Sequence, residues 1–459
     1  MPPKPENAAA SVATVPEEIT GQPRRVVASA LPWRQTFAAL KHRNFRLFFF
    51  GQLVSLIGTW MQNVAQAWLV YRLTGSSVLL GLVSFSSQIP VFLMSPLGGI
   101  VADRFRRQRV VIGTQISAML LAFILAVLTL TGVVQVWHIF VLSALLGVVN
   151  AFDIPARQSF FVEMVGREDL INAIALNSSM FNASRVIGPA VAGILVAGIG
   201  EGWCFFANAV SYIAVIAGLL LMTVEAHKPS KRGSPLADVI EGFRFVIGSR
   251  PIHHLMILLG VLSATGMPFA VLMPIFADHI LHGGAKGLGI LMGASGIGAL
   301  AGALLLASRE TVFGLGRWVA ISGIAFGASL VAFAVSHSFW LSCALLVPVG
   351  FAMMVEMGSS NTLIQTMSPD HLRGRVMSVY SMMFMGMAPL GAVLSGVAAG
   401  RWGAPATIAG GGFICMAAAA VFGWRLPGLR TDARRLIAAA QMAGGVPPQS
   451  GTGGSLALK

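Results

Sequence analysis

The chain has 459 residues, 56% hydrophobic and only 10% charged, with 31 Lys/Arg against 17 Asp/Glu and a formal net charge of +14. Soluble domains carry roughly a quarter of their residues as charge, so this composition excludes a soluble fold for most of the chain and makes lipid its solvent. The basic excess does not point to a nucleic-acid partner, because the basic residues sit between long apolar runs and not on one water-exposed face.

Residues 1–44, rich in Pro, Ala and charge, read as a flexible cytoplasmic tail without the apolar h-region of a cleavable signal peptide. Twelve apolar runs follow, each close to the about 20 residues that span a bilayer: 45–71, 77–102, 109–132, 136–157, 173–198, 202–223, 253–279, 287–307, 317–336, 338–361, 376–400 and 404–424. Backbone satisfaction in lipid allows helices or a closed barrel, and runs this long exclude strands. The expected fold is therefore all-α: twelve transmembrane helices in two six-helix bundles, 45–223 and 253–425. Between the bundles lies a linker, 224–252, in which ADVIEGFRFVIGS predicts an amphipathic helix on the inner surface. Residues 426–459 read as a cytoplasmic tail, a short basic segment with a disordered end.

With both termini cytoplasmic, every Lys/Arg except Arg72, Arg185, Lys286 and Arg401 falls on the inner side, which fixes orientation by the positive-inside rule. Trp68, Trp137, Trp203, Trp340 and Trp402 then lie near outer helix ends and Trp318 and Trp424 near inner ones, as an aromatic belt requires, while Trp60 stands at mid-depth. The halves also repeat: GVVNAFDIPARQSFFVEM (147–164) aligns without gaps on GFAMMVEMGSSNTLIQTM (350–367), pairing Gly147 with Gly350 and Asp153 with Glu356.

Span 1 carries Gln52, Ser55, Thr59, Gln62, Asn63 and Gln66 within about 100° of helical arc. Such a stripe is costly against lipid, so it faces either a water-filled cavity or hydrogen-bonding neighbours; Trp60 beside it favours the cavity. A second stripe on span 5 holds Ser178, Asn182, Arg185 and Pro189. A central arginine costs at least about 2.5–3.5 kcal/mol on insertion scales, so Arg185 needs an anion, either from a substrate or from structural partners. It sits roughly 12 Å deeper than Asp153 and Glu356, which argues against a direct salt bridge.

Asp153 has Arg157 four residues on and reads as an ion pair. Glu356 has no basic residue at i±3 or i±4, which suits either a group that binds and releases a proton or a gate and packing residue. Asp278, His279 and His282 read as a surface polar cluster before a metal site, and the span 11 methionines, Met377, Met382, Met383, Met385 and Met387, as packing that would also suit a wall for varied apolar ligands. Cys204, Cys343 and Cys415 lie far apart in apolar segments, and no G-x-x-x-x-G-K-[ST] loop is present. No metal, nucleotide or other cofactor is expected.

Residues 98–110 read GGIVADRFRRQRV, charge concentrated at the end of span 2. Those arginines could serve topology alone. However, twelve spans, related halves and this basic loop together resemble the major facilitator superfamily of secondary transporters, a family known for such repeats. The stretch is similar to the family signature G-x-x-x-D-R-x-G-R-R: Gly99, Asp103, Arg104 and Arg107 match, and Arg106 replaces the second glycine. SRVIGPAVAG (184–193) is similar to the antiporter motif G-x-x-x-G-P-x-x-G-G at Gly188, Pro189 and Gly193, with Ser184 and Ala192 in place of two glycines. The span 4 arginine of many drug antiporters is missing from FVLSALLGVVN.

The stretches RNFRLFFFGQLVSLIGTWMQNVAQAWLVYRLTGSS and ARQSFFVEMVGREDLINAIALNSSMFNASRVIGP resemble the bacterial enterobactin-exporter-like branch. The resemblance implies a monomer in the bacterial inner membrane that exports a siderophore or drug-like molecule against protons by alternating access. It also implies that Asp103 braces span 2 against the start of span 11, where Arg373 and Arg375 lie, while SRE (308–310) takes the equivalent place in the second half. Import of a polar metabolite and a non-transporting sensor are the alternative readings.

Overall fold

The computed structural model describes residues 37–166, 168–224, 235–309, 311–312 and 314–443, and these are almost wholly helical. The expected tails at 1–36 and 444–459, the polar linker at 225–234 and Glu310 of the SRE segment lie outside the described residues. In chain order the helices are α1 (Arg43–Thr74), α2 (Ser77–Arg104), α3 (Arg107–Leu130), α4 (Val136–Val165), α5 (Leu170–Ile199), α6 (Glu201–Leu220) and α7 (Pro235–Gly248). After them come α8 (Arg250–Ile280), α9 (Gly284–Ala307), α10 (Leu315–Ala334), α11 (Phe339–Met367), α12 (Asp370–Trp402) and α13 (Ala404–Ala443).

Among the described residues eleven helices, α2–α6 and α8–α13, are long and apolar enough to cross a membrane. The 32-residue α1 is long enough, but the glutamines and asparagine of its polar stripe lower its apolar content. Its end is set locally: Gly75 takes a left-handed backbone (φ +60°) that α1 cannot continue through, and Ser76 then accepts from the Leu79 N–H to cap α2. Large apolar side chains point away from the protein all round the helices, among them Ile194, Leu304 and Leu394 at 66%, 63% and 66% exposure, as a lipid-facing surface requires.

Three features depart from the sequence pattern. Helices α4, α11 and α12 run well past the expected bilayer-length segments, because a helix keeps its backbone satisfied in the headgroup region as well as in hydrocarbon. Helix α8 is interrupted by π turns at Leu262–Gly266 and Phe276–Ile280, close to Pro268 and Pro274, which leave carbonyls without their usual donors. Helix α13 does not end near Trp424 in a loose basic tail; it continues to Ala443, held because Leu426 and Leu429 are buried and Leu436 and Ile437 pack on the same apolar cluster. Within the linker a helix, α7, is present, and its Gly242 lies against the Arg375 backbone at the start of α12.

Packing is built on small residues that let helices approach closely. A Cβ at Gly98 would overlap the Ala151 carbonyl oxygen, and one at Gly147 the Ser87 carbonyl, so α2 and α4 cross backbone to backbone. Likewise Gly298 lies on the Val347 carbonyl and Gly350 on that of Ser295, joining α9 to α11. Helices α1–α6 pack chiefly on one another, as do α8–α13, and the two groups meet mainly through α2 with α12 and α5 with α9. Those two crossings are alike: Gly81 abuts Ala392 in the first, and Gly289 abuts Pro189 in the second. Both fall toward the end of the molecule opposite Arg104 and Arg107, where the Ser77 hydroxyl also donates to the Gly396 carbonyl at 2.8 Å.

Candidate functional site

Two adjoining chambers lie between the helix groups, of about 490 and 350 Å³. They share Trp60, Ser84, Gln88, Ala270, Val271, Met292 and Met385 in their walls. The larger chamber takes its polar groups from α1, α2 and α4, Asn63, Gln66, Ser87 and Asn150 beside the shared Ser84 and Gln88, and opposite them stand Ala270, Val271, Pro274 and Leu288 from α8 and α9. Arg185 and Pro189 of α5 enter the smaller chamber, against Met267, Met353 and Phe384.

Trp60 organises the junction. Its ring meets Phe181 edge-on with centroids 5.5 Å apart, and the Arg185 guanidinium lies 5.9 Å from its centroid, within cation–π range. The close approach of α5 to α1 depends on the antiporter-like motif: a Cβ at Gly188 would overlap the Trp60 Cβ, and Gly193 rests on Gly289 of α9. Arg185 forms no ion pair among the described residues.

The span 1 stripe divides. Trp60, Asn63 and Gln66 line the larger chamber, and Gln66 Nε2 donates to Ser143 Oγ at 2.9 Å. Gln62 is buried in the seam with α6, where its Oε1 accepts from Asn208 Nδ2 at 2.7 Å. Thr59 donates to the Ser55 carbonyl, and Gln52 is buried. On α5, Asn182 is buried and donates to the Ser178 carbonyl; neither residue lines a chamber. Sequence reasoning missed Gln88, Asn150 and Met292. SFSSQIP (84–90) is a polar cluster inside an apolar span and could have been read; Asn150 is a lone amide in GVVNAF and carries no periodic signal.

The two acids differ. Buried Asp153 accepts from Thr114 Oγ1 at 2.7 Å and Gln115 Nε2 at 2.9 Å, and pairs with Arg157 at 3.2 Å. Glu356, 1% exposed, accepts from Ser360 Oγ at 2.9 Å and makes no ion pair among the described residues. It lines neither chamber, but Met353, one turn earlier on α11, lines the smaller one.

At the basic end Arg107 ties α3 to α4 through Glu163 at 2.8 Å and the Ser159 carbonyl, and stands 3.8 Å from Asp103. Arg104 is exposed. Arg373 pairs with Asp370 at 2.6 Å, and Arg375 with Glu241 of α7. Gly99, the glycine that matches the signature, has open space where a Cβ would stand; the close approach is made by Gly98.

Nearby, Lys41 and His42 both reach Asp169 Oδ2 at 2.7 Å, joining the start of α1 to that of α5. Lys41, and then His42, hold the Asp169 carboxyl below its usual range. A depressed carboxylate stabilises above its unfolded value and stops doing so as pH falls through the folded one. The melting difference between the native chain and Asp169→Asn should therefore be full above about pH 5 and shrink below about pH 4. A difference that stays constant down to pH ~3 refutes the tie.

Residues 34–449 match the family described as transmembrane secretion effector, within the major facilitator superfamily. The chain is 27% identical over 362 residues to the staphyloferrin A transporter of Staphylococcus aureus, covering 78% of this chain and 90% of that protein. It is 28% identical over 372 residues to the multidrug efflux pump Tap of Mycolicibacterium fortuitum, covering 79% and 90%. To the enterobactin exporter EntS of Escherichia coli O1:K1 it is 25% identical over 365 residues, covering 79% and 87%. In fold it is similar to the nucleoside transporter NupG, with a TM-score of 0.67 at 15% identity over 84% of this chain and 98% of that one. It also resembles a bacterial homologue of the lysosomal transporter Spinster in an inward-facing, unoccupied conformation, with a TM-score of 0.60 at 14% identity over 91% and 99%. Together with the lipid-facing exterior and the cavity between the helix groups, these likenesses make the chain a multi-pass membrane transporter and not an enzyme: it belongs to the transmembrane secretion effector family of the major facilitator superfamily.

Proposed function

We propose that this chain exports a siderophore or drug-like organic molecule in exchange for protons, by alternating access. In this reading α1 is the twelfth membrane helix, α1–α6 and α8–α13 are the two bundles with α7 on the linker between them, and the basic end with both termini faces the cytoplasm. The protein acts as a monomer in the bacterial inner membrane. The observation that carries the reading is the placement of the cavity: it lies between two matched crossings, α2–α12 and α5–α9, whose tight contacts concentrate away from the basic end. Such an arrangement closes one side over a central site, and the siderophore and multidrug names of the relatives support the ligand class.

Purified protein in vesicles with an imposed pH gradient tests it. Outward-directed flux of a siderophore or dye that requires the gradient is expected; uptake of a polar metabolite instead, or no flux of any compound, overturns it.

The gate makes a further expectation. Asp103 ends α2 among arginines, and its role in this reading is to meet the start of α12 when the basic side closes. Asp103→Asn should lower flux at least about fivefold, the scale of a modest coupling energy, with membrane abundance unchanged. Native flux in that variant removes Asp103 from the gate.

A further inference from the structure

We infer that the two chambers read two different parts of one ligand: an aromatic or otherwise apolar anionic head in the Arg185 chamber, and a neutral hydrogen-bonding arm in the amide chamber. This rests on the cavity being the transport site proposed above, and it adds the chemistry of what enters.

The first observation is unmet valence. Arg185 lines the smaller chamber and forms no ion pair among the described residues, so only the face of Trp60 answers its charge there and no acid does. Asn63 and Asn150 line the larger chamber, and among the described residues neither amide makes a hydrogen bond. Polar groups that line a largely apolar cavity without a partner of their own are open to what enters it, so these three mark the ligand's pattern: one anionic oxygen group and separate carbonyl or amide groups.

The second is segregation. Among the described residues no Lys, Arg, Asp or Glu lines the larger chamber, and Arg185 is the one charged residue of the smaller. Around it stand Met267, Met353, Phe384 and Met385, with Trp60 at the neck. A hydrated inorganic anion would leave those walls unsatisfied. A flat apolar anion fits them, with its ring against thioethers and indole and its carboxylate or phenolate on the guanidinium fork. A cationic drug would meet Arg185 with like charge. Each chamber is of a size that takes a small organic group, and the shared neck lets one molecule occupy both.

Calorimetry on detergent-solubilised protein tests this with four probes: naphthoate, its methyl ester, its trimethylammonium analogue, and naphthoate bearing a glycylglycinamide arm on the far ring. Naphthoate should bind at least about tenfold more tightly than the ester, as a charge-assisted bond to a desolvated guanidinium predicts, and the cation should not bind measurably. Arg185→Gln should remove the advantage of naphthoate and leave the ester unchanged; retained ester binding also reports an intact cavity. Should that variant not fold, Arg185→Lys serves, with naphthoate weakened several-fold and the ester unaffected. The arm should raise affinity in the native chain, and Asn63→Ala should cancel the gain without touching naphthoate alone. Equal affinities for naphthoate and ester, binding of the cation, or an arm effect that survives Asn63→Ala overturns the inference. Flux independent of the pH gradient, with this affinity pattern intact, would overturn the export reading instead and leave the ligand chemistry standing.

Discussion

Glu356→Gln should reduce pH-driven flux to the level of protein-free vesicles while leaving ligand affinity within about twofold of native. The expectation rests on where the side chain sits. Glu356 is buried on α11, accepts a single hydrogen bond from Ser360 and makes no ion pair among the described residues, so its charged state is poorly supported and its neutral state well tolerated. Glutamine keeps the shape and the bond to Ser360 but cannot carry a proton. Ligand affinity should persist because Glu356 borders neither chamber; its influence on the cavity passes through Met353, one turn away. Flux and calorimetry on the same preparation decide it. If gradient-driven flux survives, the proton travels elsewhere. Asp153 is then a poor substitute, because Thr114, Gln115 and Arg157 already hold its carboxylate.

Gly350→Val should abolish folding. Even the Cβ of alanine at this position would overlap the Ser295 carbonyl oxygen, a backbone atom that cannot swing aside. Helices α9 and α11 would have to separate along their shared face, at a cost beyond the about 1–3 kcal/mol of ordinary overpacking. Gly99→Ala is the matched control: its Cβ would point into open space, and alanine in a helix gains about 1 kcal/mol over glycine. Size-exclusion profiles of the two variants after mild solubilisation should show aggregate for the first and a native peak for the second. A monodisperse Gly350→Val protein would mean that the α9–α11 crossing is looser than described.

The sequence makes the membrane segments legible because lipid imposes one rule, an apolar helix of fixed minimum length, and eleven helices among the described residues obey it in composition. The polar stripe of α1 is visible too, but its division is not. Periodicity places Gln62 and Asn63 within one arc, whereas which of them meets the cavity depends on Asn208 of α6, far along the chain. The π turns of α8 have no local signature beyond the nearby prolines. The continuation of α13 was readable: Leu426, Leu429, Leu436 and Ile437 keep a helical spacing through the basic segment. Among glycines, the family signature pointed to Gly99, yet contact chose its neighbour Gly98, and only the position of α4 decides between them. Arg185 stood out because a mid-span cation is rare; Asn150 did not, because one amide in an apolar run says nothing about which way it faces.

The Gln62–Asn208 bond has a mechanical consequence. Gly58, one turn before Gln62, leaves the notch that Asn208 and Ser211 fill, so α1 is keyed to α6 at two successive levels. Rotation of α1 about its own axis by one residue, about 100°, would drive a side chain into that notch and strand a buried amide. The helix can tilt or travel together with α6, but it cannot spin. Asn63 and Trp60 therefore keep a constant heading relative to α6 through any movement that carries the two helices together.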